Sequence, residues 1–379
     1  MYKLLLALGI ILFLKPDKSL AQSTIPVIDT LTVDQSAFTM VPDTNVQKAL
    51  VKSLTGFLNE KDQGTQNNSY INPKYAKKNI EPFPFLHDIE MNGGVPFYFP
   101  SLLRAIPLED GSFLMKIAYM GVGGDNKPYL RIIASLIAKQ AADRFYFYNV
   151  LDHYTQNWNK KQVGSISYTY SSKLDIKKAE AMNQFNLNFA RKLQTPVLTV
   201  NYYKFEDPEQ MYKAIGFDFH ENMYASRVGG LAQYWTNTVY AGNNSEQYDH
   251  EVAHFYTYIA FPKGTKNVHE GYATFAGGSG GKSLSELVPL AKKYIDAHPD
   301  KDITVLATDF YPYTPDVQLT YVLSAIVCRD IEKRFGMAGT KKLFNPAEGD
   351  DYFANLKKIT GIDKNAFPAY IKQLLKINK

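Results

Sequence analysis

His250-Glu251-Val252-Ala253-His254 constrains this chain of 379 residues more than any other short stretch in it. Histidines at i and i+4 point from one face of a helix and can share one tetrahedral metal ion, which puts Glu251 beside a metal-bound water. The chain holds only 7 histidines, so chance is a poor source of the pattern. The competing reading is a surface helix whose polar face carries two histidines. Advancing about 100° per residue from His250, the residues Tyr248, Val252, Phe255 and Ile259 fall at roughly 140–200° and His254 at about 40°. The charged residues of Ser245–Ala260 are Glu246, Asp249 and Glu251, with no Lys or Arg. This pattern predicts a helix packed on one side and facing an acidic cleft on the other. Asn243 with Glu246 makes a start like a capping box, and Pro262 follows the end.

Two histidines and a water leave such a site one protein ligand short. Thr257 and Ala260 stand where metzincins carry their further glycine and histidine. Asn267-Val268-His269-Glu270-Gly271-Tyr272-Ala273-Thr274 predicts a second helix, capped by Asn267 and ended by Gly277-Gly278, with Glu270 as third ligand. His269 competes for that role from a different helix face. Gly277-Gly278-Ser279-Gly280-Gly281 follows a helix rather than leading into one, so it reads as a flexible loop at the cleft and not as a phosphate cradle.

His-Glu-Val-Ala-His followed by Glu270-Gly271-Tyr272-Ala273 resembles the gluzincin zinc metallopeptidases, in particular the peptidase-MA-like group that includes the alanyl aminopeptidases. The resemblance spans roughly residues 165–376 and implies a thermolysin-like domain with a small mixed sheet and a mainly helical C-terminal half. It implies zinc on His250, His254 and Glu270, and Glu251 as general base. It further implies that Tyr321, fifteen residues before Gly336, stabilises the oxyanion, with Tyr313 and Tyr311 in reserve. Those aminopeptidases hold the substrate's free amine with a Glu in Gly-x-Met-Glu-Asn. This chain has Gly229-Gly230-Leu231-Ala232-Gln233 there, and Ala232 cannot bind an ammonium. The expectation is therefore a peptidase that is not a strict aminopeptidase, with Gly229, Gly230 and Tyr234 at the substrate. The strand Tyr234–Tyr240 would pair with an extended peptide. Glu221 or Glu246 could replace the missing carboxylate only if their loops fold inward.

The rest of the chain reads as α+β. Residues 22–43 form a linker or edge strand. Residues 44–163 form an N-terminal module, with a helix over 45–59 and β-rich stretches Leu103–Tyr119, Tyr129–Ile137 and Arg144–Val150. Asp110-Gly111 is a hairpin turn in it. Its element order is similar to the nuclear-transport-factor-2-like folds. Residues 164–379 form the catalytic domain: strand Ser165–Tyr170, helix Ile176–Leu193, strand Val197–Phe205, helix Pro208–Ile215, strands Met223–Val228 and Tyr234–Tyr240, then helices.

Residues 1–21 read as an export signal, with Lys3, the apolar run Leu4–Leu14 and cleavage after Ala21. That places the mature protein in the periplasm, at the cell surface or outside the cell. No other segment is long and apolar enough to span a bilayer. The net charge of +5 is small and spread out, which excludes phosphate-backbone binding to nucleic acid. Cys328, the only cysteine, sits among Ala325, Ile326 and Val327 and reads as a buried hydrophobe. His87, His153, His220 and His298 lack ligand-spaced partners and read as structural. The partner expected is a peptide or protein substrate. The alternative is an envelope binding or assembly protein whose metal site is structural or vestigial.

Overall fold

Asp43 and the apolar stripe after it build the first helix, Thr44–Glu60, in a computed structural model that describes residues 31–73, 83–224, 226–310 and 317–377. The Asp43 side chain accepts the Asn45 N–H, and Leu50, Leu54, Phe57 and Leu58 turn inward. The expected export signal lies outside the described residues. The chain is mixed α+β and divides into two compact units, Met1–Trp158 with Pro208–Arg227 and Asn159–Asp207 with Val228–Lys379. No helix among the described residues is long and apolar enough to cross a membrane.

The first unit holds a six-stranded sheet in the order Thr32–Val33, Phe99–Pro107, Phe113–Val122, Pro128–Ala141 and Phe217–His220, with Arg144–Tyr148 also paired to Pro128–Ala141. Asp110-Gly111 turns between two of these strands, Gly111 supplying φ +78°. The helix Thr44–Glu60 closes one face, where Phe57 meets Phe147 at 4.9 Å.

Residues 208–227 belong to this unit, not to the second as their sequence order suggests. The cause is strand pairing: Phe217 and His220 register antiparallel with Ala134 and Ile132. His220 is buried; Tyr212 stacks on it at 4.8 Å and its Nδ1 accepts the Asn222 N–H. Burial, with the charge of Arg131, pulls its pKa down to about 4. Between the ordinary value of about 6.5 and pH 4 the unfolded chain binds a proton that the folded unit refuses. This contribution is complete above pH 6.5 and falls by up to about 3 kcal/mol as pH drops to 4. His220→Gln should flatten that part of the stability profile in urea titrations. An unchanged slope would assign it to another group.

The second unit holds a five-stranded sheet in the order Gly229–Gln233, Thr238–Gly242, Val200–Phe205, Ile166–Tyr170 and Asn159–Val163. The middle three strands run parallel and both outer strands antiparallel. Asp175 caps the helix Ile176–Leu193 by accepting from Lys177 and Lys178. The expected strand Tyr234–Tyr240 is divided. Tyr234–Thr236 is a tight turn closed by Asn237 at φ +48°, Gly229–Gln233 is the edge strand, and Thr238–Gly242 is paired on both sides. The edges open to strand addition are therefore Gly229–Gln233 and, on the opposite side, Asn159–Val163. Met223 likewise lies in the turn Glu221–Tyr224 rather than in a strand.

Candidate metal centre

Three helices of the second unit build the centre. The histidine helix is Asp249–Ala260, the glutamate helix Lys266–Gly277, and the tyrosine helix Leu319–Phe344, which breaks at Gly336, where φ is +59°. The histidine helix is buried along His250–Thr257, so it has no broad solvated face; Ile259, expected inside, is exposed.

Its expected capping box does not form. Asn243 accepts the Ser245 N–H, and Glu246 is buried with Lys204, whose Nζ lies 2.7 Å away, and with the Asp175 N–H. Lys204 rises from a central parallel strand and its buried charge needs a counter-ion, which draws Glu246 into the fold. Glu246 is thus removed from the cleft, and Glu221 pairs with Arg131 in the first unit. Glu246 therefore does not serve as an amine anchor. The glutamate helix starts two residues earlier than its sequence suggests, after Thr265, and Asn267 lies inside it.

His250, His254 and Glu270 converge. Nε2 of His250 lies 3.1 Å from Nε2 of His254 and 3.3 Å from Oε2 of Glu270, and His254 Nε2 lies 3.4 Å from the same oxygen. All three residues are buried. A tetrahedral ion with ligands about 2.0–2.1 Å away needs ligand atoms roughly 3.3–3.4 Å apart, so the triangle fits a small divalent cation. The His250 Nδ1–H donates to the Gly278 carbonyl at 2.7 Å, which leaves its Nε2 lone pair directed into the triangle. Gly278 holds that carbonyl at φ +75°, where a Cβ would meet the Lys282 oxygen at 2.2 Å. Lone pairs directed at one point repel unless a proton or a metal lies between them. The charges reflect this. Burial raises Glu270, but both histidines hold it well below the carboxylate range; burial lowers His250, but Glu270 and Glu251 bring it above its ordinary value.

Glu251 is buried next to His250, and burial raises its pKa above the usual value in spite of both histidines. Tyr321 stacks on His250, rings 6.0 Å apart and 12° from parallel. Burial, followed by the charge of Glu270, raises the phenol's pKa well above its ordinary value. Gly271 allows this approach: a Cβ there would meet Ser324 Cβ at 2.4 Å, so the glycine lets the glutamate and tyrosine helices close. Tyr311 and Tyr313 lie outside the described residues.

His269 faces away from the triangle. It stacks on Tyr258 at 3.9 Å, its Nδ1 lies 3.1 Å from the Thr257 hydroxyl, and burial lowers its pKa to about 3. Gly229 and Gly230 begin the edge strand. Gly230 is bare because Tyr248 packs on it, its ring 2.1 Å from where a Cβ would stand. Tyr234 packs on Tyr258 at 4.4 Å.

One tyrosine beside the centre escaped the sequence reading, and Tyr248 entered it only as part of the packed face. Tyr258 lies four residues after His254 and so shares its face, a spacing that could have flagged it; burial and Glu270 push it up to about 12. Tyr248, which burial, Glu251 and Glu270 push well above its ordinary value, carries no local signal in a chain with 27 tyrosines. Cys328 is buried and burial raises its thiol. A second group, Asp62, His87 and Asp88 of the first unit, is a weaker metal site because Lys61 Nζ, 2.6 Å from Asp62, already offsets its charge. No protein family and no curated protein matches this sequence.

Proposed function

We propose that this chain is an exported zinc-dependent peptidase of gluzincin type. The observation that carries the reading is the three-ligand triangle with a buried carboxylate, Glu251, on the next residue of the same helix. Zinc on His250, His254 and Glu270 would polarise the scissile carbonyl and acidify a water. Glu251, with its proton affinity raised by burial, takes the water's proton on its carboxylate and passes it to the leaving nitrogen. Tyr321, protonated at neutral pH, offers its O–H to the negative charge growing on the carbonyl oxygen. The edge strand Gly229–Gln233 pairs with an extended peptide backbone, and Ala232 on it leaves a free amine without a partner.

The purified chain should carry one zinc and cleave a peptide library, with activity lost to a chelator and restored by zinc. Acetylating the N-terminus of a cleaved peptide should leave its hydrolysis largely intact. Zinc-bound protein that cleaves nothing would favour a binding or assembly role. A hundredfold preference for free amines, about 2.7 kcal/mol on the transition state, would restore the aminopeptidase reading.

A further inference from the structure

The first turn of the glutamate helix carries an uncompensated positive charge. A helix N-terminus already behaves as roughly half a positive charge and favours acidic residues. Here the first turn has none and instead carries Lys266. Lys266 is half-buried, and its Nζ lies 4.1 Å from the Phe310 ring. Among the described residues it forms no ion pair. Burial lowers its pKa against the attraction of Glu270, which is close enough to be felt.

Asn267, beside it, is only 7% exposed. Its Oδ1 accepts the Thr265 hydroxyl at 2.6 Å, but its Nδ2 is buried without a partner among the described residues. Thr265 makes no side-chain cap to the helix. A buried amide donor left unpaired keeps the full cost of its desolvation, which points to a partner supplied by a ligand.

Both residues lie on the ligand side of the helix. Lys266 precedes Glu270 by four positions and Asn267 by three, about 40° and 60° to either side of it. Phe310, which carries Lys266, lies 6.0 Å from Tyr321, and Tyr321 lies 6.0 Å from His250. A cation, a free amide donor and an uncapped helix start therefore meet one helical turn from the metal ligands.

We propose that Lys266 and Asn267 form a carboxylate-binding subsite, which receives a substrate's C-terminal carboxylate or an Asp or Glu side chain close to the bond cut. The proposal rests on the peptidase reading for the identity of its ligand. A carboxylate would pair the ammonium and accept from Asn267 Nδ2, satisfying both groups with charge-assisted hydrogen bonds. The C-terminal source accords with Ala232, since a centre without an amine anchor must find its register from another end of the peptide.

The test uses zinc-loaded full-length protein carrying Glu251→Gln, so that peptides bind without turnover, with affinities read by calorimetry. One tripeptide is compared as its C-terminal acid and amide; a second pair of amidated peptides differs by Glu against Gln at the last residue. The subsite predicts about tenfold to a hundredfold tighter binding of the acid in one pair or both, and the pair that responds identifies the source. Adding Lys266→Met, or Lys266→Gln should the first fail to fold, should bring the ratio to within about threefold. Lys266→Arg should restore it, and Asn267→Ala should lower it. Equal binding of acid and amide in both pairs overturns the proposal. So does a ratio that survives loss of Lys266, which would put the carboxylate on the metal. Wild-type protein that binds acids selectively but hydrolyses nothing would overturn the peptidase reading and leave the subsite standing. Hydrolysis without selectivity would do the reverse.

Discussion

Glu251→Gln should keep one zinc per chain and lower kcat for peptide hydrolysis by about 10²–10⁴-fold, the range for loss of a positioned general base. The substitution is isosteric and touches none of the three converging ligand atoms, so metal binding and folding should survive. What disappears is the acceptor for the water's proton. Glu251 suits that role because it is buried, and burial raises its proton affinity toward neutral pH. The histidines beside it work in the opposite sense without reversing that shift. KM should move little, since the carboxylate acts on the water and not on the bound peptide. The comparison needs zinc content and steady-state rates on the same preparation. Activity within about tenfold of the parent at full zinc loading would remove Glu251 from the mechanism.

What could be read before the fold was known follows from the range of the forces involved. The positions of His250, His254 and Glu251 needed only the pitch of one helix. Glu270 needed one more helix packed beside the first, and Gly271 permits that packing. Tyr321 entered only through the family resemblance, whose expected helix end at Gly336 is where the tyrosine helix breaks. The capping box failed because Glu246 answers the charge of Lys204, a residue 42 positions away on a central strand that no local pattern reveals. Phe217–His220 is too short to declare its sheet, and pairing with Pro128–Ala141 assigned it to the first unit. Asn159–Val163, an exposed edge strand of sequence Asn-Lys-Lys-Gln-Val, shows no apolar alternation and was invisible for that reason. The division at Asn237 depends on a left-handed residue that asparagine tolerates but does not require.

Glu270→Ala should weaken zinc binding by well over a hundredfold, because outer-shell partners alone are worth 10–100-fold in such centres and Glu270 supplies one corner of the triangle. The clearest readout is thermal. At a thousandfold excess of zinc over its Kd, a site that binds only the folded state adds about 4 kcal/mol. For a unit of about 200 residues this raises Tm by roughly 8–16 °C, an increment that chelation should remove from the parent. In Glu270→Ala a loss of a hundredfold or more leaves at most about a tenfold excess over Kd, so the increment should shrink to roughly 3–6 °C or less. His269→Gln should lose stability through its stacking on Tyr258 yet retain the increment, since that ring faces Thr257 and not the triangle. Tyr321→Phe should retain it too, because the phenol is not one of the three converging ligands. A zinc-dependent increment that persists in Glu270→Ala and disappears in His269→Gln would move the third ligand one residue back along the helix. The Glu270 face and the first turn beside it would then lose their claim on the substrate.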